Sequence, residues 1–438
     1  MQNLKRLFLT TTLVGLMAGC GSDSGSPAAQ TGTETETGSG SSETSTGSAQ
    51  ARVTASIPGP ATITDQPTSD EPSASNSPDA AAKESKPAED EVTRILREIQ
   101  QLRVAAAPAD VETARQIRRQ RNEEIIEKAT NVLRLTMEDK AREPQFNQAI
   151  GQLLEARFQM ALTGTEDDIQ LLHEDVEALS KRDPKSPAAA EGVYQLARLA
   201  HTKAGLLGKS QPVWFETLSR WAREFADRFP EQNKRAVTLL FGAARSCELH
   251  ALATTDAELS GRLMTESKLC YTTLAEKFST SPQGQEAVAV LRRMAVVGQP
   301  LTQFEGPTID GGFVSVSEFS GRPTLIYFWS AEDEDFTKEV LPAIQKIRTQ
   351  LADSRLRMVG VPLDDDETEL EAFMEQNSLP GQQIFFTNPE QRSWNSPLIR
   401  FWGISKTPSI WVLDNQTNVI STNVETSKLV PTLQKVVR

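Results

Sequence analysis

The feature that most restricts how this chain can fold is a long segment with very few large apolar side chains. Residues 21–90 consist mainly of Ser, Thr, Gly, Ala, Pro and Glu. Such a segment cannot bury enough apolar surface to offset the conformational entropy that folding removes. We therefore predict a disordered tether over residues 20–90, so that any packed core must come from the rest of the 438-residue chain.

The charge of the chain limits the classes of partner. The formal net charge is −13, whereas a protein that binds nucleic acid generally needs a basic surface to neutralise phosphate. We therefore predict no nucleic-acid partner. No apolar run after the N-terminus approaches the ~20 residues that a helix needs to span a bilayer.

A lipid attachment signal stands at the N-terminus. Two basic residues are followed by the apolar stretch 7–17 and then by Cys20. The apolar stretch is too short for a stable transmembrane helix and is typical of a secretory signal. The sequence LMAGC at 16–20 resembles the lipobox of bacterial lipoproteins, which implies a signal peptide over residues 1–19 and lipidation of Cys20.

This resemblance implies a protein of the bacterial cell envelope that several acyl chains anchor to a membrane. Gly21 and Ser22 follow Cys20 and carry no acidic retention signal. The outer membrane, on its periplasmic face, is therefore favoured over the inner membrane. The alternative is an ordinary signal peptide that happens to be followed by a cysteine.

The middle of the chain is predicted to be an all-α repeat domain over residues 91–298. From about residue 90 the composition shifts to Glu, Lys, Arg, Leu, Ala and Ile, which are good helix formers. Three segments resemble one another: ALSKRDPKSP (178–187), EFADRFPEQN (224–233) and TLAEKFSTSP (273–282). Their aligned apolar residues Leu179, Phe225 and Leu274 are separated by 46 and then 49 residues.

This pattern resembles the divergent tetratricopeptide-like repeats of envelope lipoproteins, although the period is longer than the usual ~34 residues. Helical hairpins must stack to bury their apolar faces, and the stack often leaves a groove for a peptide or a helix. The array could therefore be a scaffold for a protein partner or a spacer. A non-repetitive helical bundle is the alternative fold.

Two cysteines fall in this helical region. Cys247 and His250 share a helix face by their spacing, and with Cys270 they would supply three ligands for a metal. A disulfide between Cys247 and Cys270 is a second possibility in an oxidising envelope. Two buried structural thiols are the third, because a free cysteine behaves as a small hydrophobe. We predict no metal site.

The C-terminal region, residues 300–438, is predicted to be an α/β domain. Continuous apolar runs at 324–329, 356–363 and 410–413 are typical of strands that are covered on both faces. Helical spacing between these runs, and again at the C-terminus, predicts a strand–helix–strand–helix order followed by a hairpin and a last helix.

Two motifs in this region resemble thioredoxin-like redoxins of the TlpA and ResA kind. GFVSVSEFSGRPTLIYFWS (312–330) is similar to the opening of those domains, and WNSPLIRFWGISKTPSIWVLD (394–414) is similar to their second hallmark. The resemblance implies a thioredoxin fold in which Pro408 is the cis proline. It also implies a peptide groove formed by Trp329, Thr407 and Pro408.

The same resemblance does not extend to the catalytic cysteines of these redoxins. Family enzymes carry Cys-x-x-Cys at the start of the first helix, where the helix N-terminus lowers the pKa of the first thiol. Asp333 and Phe336 occupy the two cysteine positions here, and no cysteine follows Cys270. Tyr327 stands where relatives often have a buried acid. We therefore predict no catalytic residue and no cofactor.

Acidic residues follow two of the predicted strands, at 332–335 and 364–367. The simpler interpretation of both runs is helix capping, since negative charge is favourable at a helix N-terminus. The alternatives are a contact with a cation or a basic peptide for the first run, and a shared Ca²⁺ site for the two together.

These observations favour a membrane-anchored envelope lipoprotein that binds or scaffolds a protein or peptide and is not an enzyme. The alternative is a thiol–disulfide oxidoreductase that uses Cys247 and Cys270. A purely structural spacer is a third interpretation. The sequence does not indicate the oligomeric state.

Overall fold

The computed structural model describes residues 90–106, 108–351 and 355–437. The predicted signal peptide, Cys20 and the predicted tether up to residue 89 lie outside the described residues. Among the helices that are described, none is long and apolar enough to cross a membrane.

The first part of the described chain is all-helical, and we call residues 91–295 the helical array. Its α-helices are α1 (Glu91–Val104), α2 (Val111–Thr136), α3 (Glu143–Thr163), α4 (Glu166–Arg182), α5 (Pro187–Leu207), α6 (Val213–Arg228), α7 (Asn233–Ala253), α8 (Ala257–Lys277) and α9 (Pro282–Ala295). A 3-10 turn, Lys140–Arg142, precedes α3.

The segments that resemble one another in sequence are the turns between these helices. Ser186 caps α5 by accepting a hydrogen bond from the N–H of Ala189 at 3.1 Å, and Pro187 takes the first helical position. Ser281 and Pro282 do the same at the start of α9. The N–H group at the first position of a helix has no acceptor within the helix, so proline, which lacks this group, fits there. These serine–proline pairs therefore mark the start of a new helix.

Ion pairs join alternate helices along the array. They link Arg198 to Glu155 at 2.7 Å, Arg235 to Glu191 at 2.9 Å, and Arg293 to Glu248 at 2.6 Å. The first pair joins α3 to α5, the second α5 to α7 and the third α7 to α9. This order of contacts is that of stacked helices and confirms the predicted helical array, whereas its likeness to tetratricopeptide repeats stays a prediction.

The C-terminal domain, residues 297–437, is built around one mixed sheet. Its strands are β1 (Glu305–Pro307), β2 (Phe313–Ser315), β3 (Thr324–Trp329), β4 (Arg357–Pro362), β5 (Gln382–Gln383), β6 (Ser409–Leu413) and β7 (Val419–Ser421). Its α-helices are α10 (Leu341–Gln350), α11 (Glu367–Gln376), α12 (Pro397–Trp402) and α13 (Thr426–Val436).

The sheet has the strand order β5-β4-β3-β6-β7, while β1 and β2 form a separate hairpin. β3 runs parallel to β4 and antiparallel to β6. Together with the cis peptide bond between Thr407 and Pro408, this topology confirms the predicted thioredoxin fold.

Helices cover both faces of the sheet. Side chains on both sides of β3 are therefore buried, and the sequence of the strand is largely apolar. Alternate residues of β3 enter opposite cores: Ile326 and Phe328 pack with α12, whereas Leu325, Tyr327 and Trp329 pack with α10, α11 and α13. All six residues of β3 are buried. The strand therefore fixes both cores and ends at the edge of the sheet where the cysteine motif of relatives lies.

The structure also differs from the sequence prediction in detail. The first helix of the domain begins with a π-helical turn, Phe336–Val340, ahead of α10. Val316 directly follows β2 and lies in a 3-10 turn, which begins with a capping box formed by Ser315 and Glu318. β1, β2 and β5 have two or three residues each, which is too short to leave an alternation that sequence can reveal.

Candidate functional site

The segment after β3 corresponds to the active-site turn of redoxins. The carboxylate of Asp333 accepts hydrogen bonds from the N–H groups of Asp335 at 3.0 Å and Phe336 at 3.2 Å. A carboxylate in this position caps the helix that follows it. Asp333, at the position of the first cysteine, therefore contributes to local structure.

Phe336 fills the position of the second cysteine. Its ring is fully buried and stacks on the Trp329 ring, with centroids 4.8 Å apart and an angle of 23° between the planes. On its other side the Tyr327 ring lies parallel, at 6.1 Å and 13°. Stacked aromatic rings add to the stabilisation that burial gives, so this position is now part of the core.

Tyr327, at the position of the buried acid, belongs to a neutral hydrogen-bond network. Its hydroxyl donates to the carbonyl of Pro380 at 2.7 Å and accepts from the side-chain amide of Gln383 at 2.7 Å. The amide oxygen of Gln383 accepts from the Trp329 indole at 3.1 Å. Burial raises the pKa of Tyr327, so this phenol stays protonated at neutral pH.

The second acidic run, Asp364–Glu367, organises the neighbouring loop. Asp364 accepts hydrogen bonds from the Ser330 hydroxyl at 2.9 Å and the Ala331 N–H at 3.0 Å, and burial raises its pKa. Asp366 caps α11 through the N–H groups of the first turn. Across the described residues, no three or more His, Cys, Asp or Glu side chains are grouped so that they could hold a metal ion.

The loop that ends in the cis proline, residues 403–408, lies across from this turn; we call it the cis-proline loop. Thr407 and Pro408 are half-buried, and the backbone of Thr407 makes no hydrogen bond to another described group. Ser409 then enters the sheet opposite Phe328. Thr407 therefore offers an unpaired backbone edge at the site.

Trp329 differs from its predicted role as a groove residue. Its side chain is fully buried, because it packs between Phe336 and Phe373. The indole therefore offers no surface to a peptide.

An exposed tryptophan that we did not predict lies near the second acidic run. Trp394 is 49% exposed and belongs to a segment that Arg392 ties to that run. The Arg392 guanidinium donates to the Asp365 carbonyl at 3.2 Å and pairs with Glu367 at 2.7 Å. Trp394 has no periodic pattern around it, so sequence gives no signal that its ring is exposed.

The two described cysteines are free, buried thiols in the helical array. Burial raises the pKa of Cys270 to about 11, and the hydroxyl of Ser219 lies 3.1 Å from its sulfur. Burial also raises the pKa of Cys247. The disulfide between them is not formed, and His250 stacks on the Phe215 ring at 4.5 Å. Both thiols are protonated at neutral pH, whereas the thiolate is the reactive form.

A thiol titration tests this arrangement. In the full chain carrying Cys20→Ser, we expect Cys247 and Cys270 to react slowly with Ellman's reagent in the native state, because both are buried. Both should react at once in guanidinium without reductant. A parallel sample treated with reductant sets the total, and a lower count without reductant would mean that a disulfide forms.

Comparison with known proteins places a family similarity in the C-terminal domain. Residues 297–420 match the AhpC/TSA family. No match was found among curated proteins. The matched region contains no cysteine, so the similarity extends to the fold and leaves out any cysteine that could act as a nucleophile.

Solved structures that resemble this chain cover the same part of it. The thioredoxin domain of a thiol-disulfide oxidoreductase from Bacteroides vulgatus is 21% identical, covers 32% of this chain and 98% of its own, with a TM-score of 0.29. A thiol:disulfide interchange protein of the thioredoxin family from Chlorobium tepidum is 19% identical. The match covers 32% of this chain and 96% of that protein, with a TM-score of 0.27. A secreted disulfide oxidoreductase from Mycobacterium tuberculosis is 12% identical. The match covers 30% of this chain and 96% of that protein, with a TM-score of 0.26.

Proposed function

We propose that this chain is a lipid-anchored protein of the bacterial cell envelope whose C-terminal domain binds a protein or peptide without thiol chemistry. The observation that carries the proposal is the state of the two cysteine positions. Asp333 caps a helix there and Phe336 is packed into the core, while the neighbouring backbone edge at Thr407 remains unpaired.

The chemistry of the site supports binding over redox catalysis. A carboxylate cannot replace a thiolate as the nucleophile toward a disulfide, since exchange proceeds through a mixed disulfide. The two thiols in the described residues lie in the helical array and are buried. Neither is at the groove, and neither has the lowered pKa that marks a reactive cysteine.

The geometry of the groove supports an extended peptide as the ligand. Extended segments commonly bind by adding their backbone to a free edge, and the side chains then select the sequence. Thr407 supplies such an edge. Trp394 offers an exposed ring in the segment that Arg392 ties to the loop after β4, and this loop leaves the sheet at the same edge as Thr407. Aromatic side chains at a binding surface supply much of its energy.

The anchor rests on the sequence alone. Lipidation of Cys20 would hold the chain at the membrane, with the outer membrane preferred, and residues 20–90 would form the tether. A Gly/Ser-type coil of this length has an r.m.s. span of roughly 45 Å. The folded part would then reach partners that lie away from the membrane surface.

The alternative function is thiol–disulfide exchange. It is favoured by the family similarity of residues 297–420, but fold alone does not establish an activity. It requires Cys247 and Cys270 to be reactive, and their burial opposes this.

A photo-crosslinking experiment tests the binding function. The photoreactive residue p-benzoylphenylalanine replaces Trp394 in the full chain, which keeps an aromatic ring at an exposed position. We expect irradiation of intact cells to link this position to a discrete protein, identified by mass spectrometry, because the exposed ring belongs to the sheet edge that also carries the cis-proline loop.

The matched control replaces Ile420, which is 41% exposed. Its strand, β7, pairs with the end of β6 that lies farthest from Pro408. Crosslinks to the same protein with equal yield at both positions, or none at position 394, would overturn the proposal.

A further inference from the structure

The helical array contacts the C-terminal domain through the short helix that precedes the cis-proline loop. α12 packs against α9. Arg292 of α9 lies 3.9 Å from the centroid of the Phe401 ring and donates a hydrogen bond to the Phe401 carbonyl. A cation over an aromatic face and a bond to a helix-end carbonyl both stabilise this contact.

The backbones of the two parts come unusually close at Gly403. This residue ends α12 in the left-handed conformation, with φ of 59°. A Cβ atom added there would lie 2.6 Å from the backbone nitrogen of Val290 in α9. Glycine therefore satisfies both the φ angle and the close approach of α9.

A second arginine of the array holds the next residues of the loop. Arg245 of α7 donates to the Ser405 carbonyl at 2.8 Å, and it also pairs with Glu286 at 3.7 Å. Lys406 follows and is half-buried, and this burial lowers the pKa of its ammonium group. Of the two residues directly before Thr407, Ser405 is therefore held by a hydrogen bond from the array, and Lys406 is partly buried.

Contacts of the same kind hold the array itself together. Arg198 lies 4.3 Å from the Phe158 ring centroid and Arg235 lies 4.3 Å from that of Tyr194, and each joins neighbouring helices of one layer. α12 joins α9 through a contact of the same kind, between Arg292 and the Phe401 ring. The last unit of a stacked array needs a cap over its exposed face, and the C-terminal domain supplies one.

We propose that the helical array is a positioning element for the cis-proline loop, with Arg245 and Arg292 as its positioning residues. The array then does more than space the C-terminal domain from the membrane. Opening of residues 403–408 requires the loss of contacts with α7 and α9, so the order of the loop depends on these direct contacts. This inference does not depend on the identity of a ligand.

Hydrogen exchange of the full chain, followed by mass spectrometry, tests the proposal. In the double variant Arg245→Ala, Arg292→Ala we expect amides of residues 401–413 to exchange about tenfold faster, because two charge-assisted contacts are lost. The double variant Arg198→Ala, Arg235→Ala removes the matching contacts inside the array. It should leave exchange in 401–413 unchanged.

Conservative and backbone variants keep the test decisive if the first variant unfolds. Replacing both Arg245 and Arg292 with lysine retains charged donors and should restore most of the protection. Gly403→Ala should accelerate exchange in 401–413. Gly321→Ala is the matched control: the φ angle of Gly321 is 77° and no atom lies near the added Cβ. It introduces the same kind of backbone strain without displacing α9, so its effect on 401–413 should be smaller. Wild-type exchange in the arginine double variant, or equal effects of the two glycine variants, would overturn the proposal.

Discussion

Introducing cysteines at positions 333 and 336 is expected to give this chain a disulfide reductase activity. The Asp333→Cys side chain would stand at the helix N-terminus, where a thiol pKa near 7 in place of ~8.5 gives about sixteenfold more thiolate at pH 7. The Phe336→Cys thiol would lie one turn further on, in the buried position of the second cysteine. The measurement is the turbidity of insulin with dithiothreitol.

Two control variants and the natural chain separate thiol chemistry at positions 333 and 336 from other causes of insulin reduction. The double variant Asp333→Ser, Phe336→Ser makes the same changes in volume without a thiol and should match the reductant blank, as should the natural chain. Cys247→Ser in the natural chain removes a thiol of the array. Acceleration by the natural chain that is lost in Cys247→Ser would contradict the proposed function, since the array would then carry the redox chemistry.

The elements that sequence predicted best are those whose signals are local. β3 matches the predicted run at 324–329 because the strand is buried on both faces, which favours large apolar side chains at every position after Thr324. The turns of the array were recognisable because serine and proline at a helix start have local geometric requirements. The predicted cis bond before Pro408 is present. It could be predicted because the motif at 394–414 resembles a motif of the thioredoxin fold.

The parts that sequence missed depend on residues far apart in the chain. Phe336 is buried because its ring packs on Trp329 and Tyr327. The resemblance of the motif to the cysteine motif of redoxins does not reveal this packing. Arg292 and Phe401 are 109 residues apart. No pattern in either segment indicates that they meet, and without that contact the array could only be described as a scaffold or a spacer.

Loss of one carboxylate inside the array is expected to have the largest effect on stability. Glu248 pairs with Arg293 at 2.6 Å and accepts from the Tyr271 hydroxyl at 3.0 Å, and the paired side chains are 3% and 9% exposed. Glu248→Ala should lower the free energy of unfolding by about 3–5 kcal/mol, because it leaves a buried guanidinium without a partner. Guanidinium denaturation of the full chain, followed by helical circular dichroism, measures this loss.

A half-buried pair of the same type provides the comparison. Glu155 and Arg198 are 2.7 Å apart and both side chains are 20% exposed, so Glu155→Ala should cost less than Glu248→Ala, because water can reach the guanidinium that is left without its partner. The double variant Glu248→Leu, Arg293→Met replaces both charges with apolar groups and should recover most of the loss, since the desolvation cost of the guanidinium disappears. If the two single glutamate variants lost the same free energy, or if the double variant were less stable than Glu248→Ala, the unpaired buried charge would not be the cause.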